Sequence, residues 1–226
     1  MIPLADDIPS RRFPIVTYFI IALNVLVFFF ELALGPHLDK FIAVFGLVPW
    51  RIMHLGRYPL VFITVFTSMF LHAGWVHIFG NMLYLWIFGD NVEDAIGHFR
   101  FLLFYLICGL TAAAAQVLAN PISRIPMVGA SGAVAGVLGA YFLFYPRARV
   151  LMAIPIFFYF EIIAVPALLV LGSWFLVQLL NGLATITATT AITGGVAWWA
   201  HIGGFVAGMI LGPLLREREN PPYFYV

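Results

Sequence analysis

Long apolar stretches alternate with short clusters of polar, Gly and Pro residues along the chain. The pattern predicts helices at 15–34, 76–90, 101–119, 131–145, 163–182 and 196–215, most of them near the length a hydrocarbon core of about 30 Å demands. Between Pro59 and Phe88 the apolar run exceeds one span, but His72, Gly74 and His77 interrupt it. Residues 35–73 therefore read as a long, partly membrane-embedded loop leading into the second helix. The alternative, an extra helix at 59–71, would place the two chain ends on opposite faces.

Composition explains why these runs are spans and not core helices. Hydrophobic residues make up 63% of the 226 and charged residues 9%, against about 45–50% and about 25% in soluble domains. A mean hydropathy of +1.03 agrees, so the solvent is a bilayer. The expected fold is an all-α polytopic membrane protein. It forms a single domain over 1–226, with short tails at 1–14 and 216–226. A net charge of +1 offers no field for nucleic acid. The single cysteine, Cys108, excludes an intramolecular disulfide and a Cys-rich metal site. The N-terminus lacks a small-residue cleavage site and predicts a retained first span.

Six spans put both termini on one face. Arg11, Arg12, Arg100, Arg147, Arg149, Arg216 and Arg218 fall there, against Lys40, Arg51, Arg57 and Arg124 opposite. This bias predicts cytoplasmic termini.

Ionisable groups buried in a span are functional candidates by default. The carboxylates are informative by position: Asp90, Glu93, Glu161, Glu217 and Glu219 fall at cytoplasmic ends, and Glu31 sits near the outer end of the first helix. That argues against a two-aspartate protease and a carboxylate proton relay. Ser131, His201, His77 and Asn81 remain inside, with His72 just outside. Counting back from Pro146 at 1.5 Å per residue puts Ser131 about 22 Å along a core of about 30 Å. His201, about six residues into the last helix, lies about 9 Å below the opposite face. The two depths coincide. Gly132 and Gly136 follow the serine, and Gly204, Gly208 and Gly212 follow the histidine, so the two backbones can approach closely. A histidine beside a serine is the arrangement of nucleophilic acyl transfer.

His77 and Asn81 are four residues apart and share a helix face. Both can donate to an oxyanion, as can the Ser131 amide. A metal site at His72 and His77 is the rival reading, but the spacing lacks the paired histidines and glutamate of a zinc helix. Two further classes are a non-catalytic membrane-protein binder and a small transporter. No internal repeat supports the latter.

At this point the chain resembles the rhomboid family of intramembrane serine proteases. The resemblance rests on Trp50-Arg51, then His72, His77 and Asn81, then Gly89 and Glu93. It continues through Gly129-Ala130-Ser131-Gly132 and ends at Ala200-His201 with Gly204 and Gly208. It implies a prokaryotic six-helix member in the cytoplasmic membrane, with Ser131 as nucleophile and His201 as base. The implied oxyanion donors are His77, Asn81 and the Ser131 amide, with backbone help near Gly129. Its substrates would be single-span transmembrane proteins, with no cofactor, metal or nucleic acid. Trp50 and Arg51 would anchor the first loop, and Glu93 would hold a helix turn. Trp174 and Gln178, with the loop at 183–195, would lie where substrate enters laterally. One position departs from the pattern: Ala135 stands where an aromatic packs against the histidine in some members, so His201 needs another support.

Overall fold

The computed structural model describes residues 2–187 and 196–217. Helices α1 (Ile15–Ala33), α5 (Trp75–Ile96), α6 (His98–Ala119), α7 (Ser131–Phe144), α8 (Ala167–Thr187) and α9 (Trp198–Leu215) occupy the six expected positions. By length and apolarity α1, α6, α8 and α9 can each cross a bilayer. A segment at Pro59–Phe70 bends by 79° into α5, and the two together are long and apolar enough for one further span. At 14 residues, α7 is shorter. It rises about 21 Å, less than the hydrocarbon core of about 30 Å. The chain is an integral membrane protein.

The first loop folds as short pieces: α2 (Leu38–Phe45), α3 (Pro49–Ile52) and α4 (Ile63–Thr67), flanked by 3-10 turns. The Pro59–Phe70 segment is thus a bent prelude to α5 and not an extra span. Trp50 stacks on His54 at 4.2 Å, its amide donates to the Ser123 carbonyl, and the Arg124 guanidinium lies 4.7 Å over its ring. Arg51 donates to the Ala43 carbonyl. These contacts fasten the first loop to the 120–130 segment, which also pairs with it at Leu47 and Met127.

Both ends of the described chain meet on one face. Arg12 donates to Glu217 at 2.9 Å, and the Glu217 amide reaches the Ala95 carbonyl. Glu93, fully buried at the end of α5, accepts from the Val16 and Thr17 amides and the Thr17 hydroxyl. It also meets the His98 ring. It satisfies amide groups at the start of α1 that have no helical partner, and so joins α1 to the α5–α6 turn.

The helical membrane architecture matches expectation, but the fold is not entirely helical. An antiparallel sheet of order β1-β2-β3 is built from β1 (Ile2–Asp6), β2 (Arg149–Ile156) and β3 (Tyr159–Pro166). It occupies the face that carries the termini. Residues 163–166 belong to β3, and α8 starts only at Ala167. Ile162, Ile163 and Val165 are β-branched and apolar, a run that fits a strand as well as a helix end. The first tail is likewise ordered: Asn91 holds the Ile8 carbonyl, and Asp94 accepts from the Arg11 and Arg12 amides. Arg218, residues 219–226 and most of the 183–195 loop lie outside the described residues.

Candidate functional site

Ser131 is the first residue of α7 and His201 the fourth of α9. What brings them together is backbone contact between those helices. A Cβ on Gly204 would lie 2.0 Å from the Gly132 carbonyl oxygen, and one on Gly208 would lie 1.9 Å from that of Gly136. Neither glycine can carry a side chain at this separation, so α9 seats directly on α7. With the helices so placed, the Ser131 hydroxyl donates to His201 Nε2 at 2.8 Å.

The other face of the imidazole rests on α8. His201 Nδ1 donates to Gln178 Oε1 at 2.8 Å, and the buried Gln178 amide donates in turn to the Trp174 carbonyl. An amide oxygen only accepts, so this contact keeps the proton on Nδ1 and turns the Nε2 lone pair toward serine. The Trp174 ring lies 5.6 Å from the imidazole. Ala135 is fully buried, and a Cβ on Gly204 would sit 3.4 Å from its own. An aromatic at 135 would push α9 off its seat. Support for the histidine comes from α8 instead. The sequence places Gln178 near a lateral opening and gives no sign that it reaches the histidine. A helix-to-helix side-chain contact leaves no trace in periodicity.

Opposite the serine, Gly129 has φ of +124° and its amide donates to the Ser68 carbonyl. A Cβ there would fall 2.6 Å from His77 Nε2 and 3.6 Å from Asn81 Nδ2. Glycine is required on both counts. His77 Nδ1 accepts from the Ala73 amide, which directs Nε2 to the serine's loop. Asn81 Nδ2 donates to His72 Nε2 at 3.0 Å, and the His72 amide donates to the Glu31 carboxylate at 3.1 Å. His72 and Glu31 are each about 1% exposed. His72 therefore sits behind the site as the group that orients Asn81, rather than at its rim. Glu31, expected only as a boundary marker, is the base of this chain of contacts. Its sequence signal was being the lone acid at the outer ends of the spans.

Ser131, His201, His77, Asn81, Gly129 and Trp174 line one cavity of about 510 Å³. The rest of its wall is largely apolar, including Met69, Val128 and Ala200. A cavity of this size can hold water and a short polypeptide segment. The arrangement presents a hydroxyl, an acceptor for its proton and side-chain amide and imidazole donors beside it.

Fold and site define a polytopic membrane protein that holds a serine–histidine pair in a cavity between its helices. The rhomboid domain matches residues 59–218, and the chain belongs to the rhomboid family. It is 37% identical over 128 residues to Rhomboid protease GluP of Bacillus subtilis, covering 56% of this chain and 24% of that protein. It is 30% identical over 187 residues to the mitochondrial Rhomboid protein 1 of Saccharomyces cerevisiae, covering 76% and 49%. Putative rhomboid protease YdcA of Bacillus subtilis is 26% identical over 217 residues, 94% of each chain. The chain thus spans about a quarter of the first relative, about half of the second and nearly all of the third.

Proposed function

We propose that the chain is an intramembrane serine endopeptidase that cuts single-span membrane proteins in or beside their transmembrane helix. The carrying observation is the 2.8 Å contact between the Ser131 hydroxyl and His201 Nε2 within the cavity. The relatives' names as rhomboid proteases support it. A substrate segment unwinds into the cavity between α5 and α8. Ser131 Oγ attacks the scissile carbonyl while His201 Nε2 takes the hydroxyl proton. His77, Asn81 and the Ser131 amide, with backbone near Gly129, stabilise the oxyanion. The C–N bond breaks as His201 returns the proton to the leaving amine, leaving an ester on Ser131. Water, deprotonated by His201, hydrolyses that ester and frees the serine. Positive charge on the terminal face supports cytoplasmic termini in a prokaryotic cytoplasmic membrane.

The test is proteoliposomes carrying a single-span reporter. Ser131→Ala is expected to lower cleavage by about 10³-fold or more, with thermal unfolding unchanged. A serine-reactive phosphonate should label the wild-type chain and fail on this variant. Wild-type cleavage by Ser131→Ala would overturn the reading, and would favour a rhomboid-like scaffold that binds client helices without cutting them.

A further inference from the structure

The β2–β3 hairpin carries a group of exposed aromatics that the proposed reaction does not use. Its strands pair from Arg149 with Pro166 to Ile156 with Tyr159, leaving Phe157 and Phe158 as a two-residue turn. At about 3.3 Å per residue the ribbon reaches about 25 Å from its base. The base is packed: Val150 and Met152 join the core with Tyr141 and Tyr145. The far end is bare. Phe157 and Phe158 are fully exposed, and Tyr159, Phe160 and Ile162 are more than half exposed.

We propose that this tip docks in the interfacial zone of the lipid leaflet on the face that carries the termini. Three observations point to lipid as the occupant. First, the hairpin is inserted between two membrane helices: β2 begins five residues after α7 ends, and β3 passes into α8 without a loop. That connectivity sets its base at the bilayer boundary. Second, its charges suit a headgroup layer. Arg147 and Arg149 are exposed at the base, where anionic headgroups would meet them. Glu161 is the only charged side chain between Val150 and Pro166. It shares a face with Ile154 and Tyr159, so the face of Leu151, Phe160 and Ile162 carries no charge beyond Arg149 at its base. Third, Phe157 has φ of +50°, where a tight hairpin ordinarily takes Gly or Asn. A bulky ring held in that strained conformation, touching little of the protein, indicates that the ring serves an external contact. Aromatic side chains are favoured at the membrane–water boundary, whereas a ribbon this apolar standing in water would invite edge-to-edge association. Docking would tether the first turn of α8 to the leaflet.

The test uses the full chain with Phe158→Cys carrying an environment-sensitive fluorophore, reconstituted in phosphatidylcholine–phosphatidylglycerol vesicles. Cys108 is buried and stays unlabelled. The expected result is blue-shifted emission, quenched about twofold by lipid bearing a doxyl group near the carbonyl end of its chains and insensitive to aqueous iodide. Glu161→Cys labelled in the same way should show the shallower, iodide-sensitive position. Iodide quenching at 158 without doxyl quenching would overturn the proposal. So would a disulfide between copies formed in high yield by unlabelled Phe158→Cys, which would assign the tip to a second chain. A circular-dichroism comparison with wild type keeps misfolding from passing as either result.

Discussion

At the residue scale the contact that separates this chain from its expected pattern is Gln178 on His201. A carboxylate in that place would hold the imidazole by charge, whereas the amide oxygen holds it by direction alone. Gln178→Leu keeps the packing volume and removes the acceptor. It is expected to lower kcat about 10-fold or more with KM near wild type, because the tautomer is lost and the cavity is not. Nitrogen NMR of the His201 ring should show the Nδ1-protonated form in the wild type and a mixture in the variant. A fall in KM-linked binding with an unchanged tautomer would assign Gln178 to substrate passage alone. Ser131 and His201 were legible in the sequence because depth in a membrane follows from counting residues, and the glycines beside them mark the helix contact. Gln178, His72 and Glu31 act through side-chain reach across helices. That reach depends on rotation about helix axes, which spacing does not determine.

At the element scale the seam between α7 and α9 is the most constrained part of the bundle. Gly208→Ala places a methyl 1.9 Å from the Gly136 carbonyl oxygen, and only a backbone shift relieves it. The expected cost is about 1–3 kcal/mol, read as a lower unfolding midpoint in detergent, with cleavage falling more steeply than stability. Alanine at Gly172 in α8, where the added carbon would meet the Phe142 ring at an ordinary 3.7 Å, serves as the control. Spans are easy to read because lipid imposes one long apolar signature. The hairpin escaped because its turn is Phe-Phe and not a Gly or Asn pair, and because β3 is apolar up to the helix it precedes. Strand and helix share a composition there, and only the partner strands distinguish them.

At the scale of the whole molecule the N-terminal strand and the ends of α5, α7 and α9 form a polar floor beneath the bundle. Asp6 lies in it, accepting from the Tyr141 hydroxyl. Burial pushes its carboxyl up to about 7 from 3.8, the Tyr141 contact opposing this and Asp90 and Asp7 adding to it. Because the folded value is the higher one, the native state binds the extra proton between those limits. Stability of the strand should therefore fall as pH rises from 3.8 to about 7 and level off above. Hydrogen exchange of the Leu4, Ala5 and Asp6 amides, corrected for intrinsic rate, is the measurement. Asp6→Asn should remove the slope and protect the strand at neutral pH. An unchanged slope in that variant would place the titration elsewhere.

The glycine seam has a consequence for how the molecule ages under heat or altered lipid. Seating α9 on α7 carbonyls makes the bundle's tightest joint the ruler for a single interatomic distance, that between serine and histidine. A joint loosened by a few tenths of an ångström still holds the helices together, yet it spoils a hydrogen bond whose tolerance is of that size. Turnover should thus fade well below the temperature at which helicity is lost, and recover on cooling.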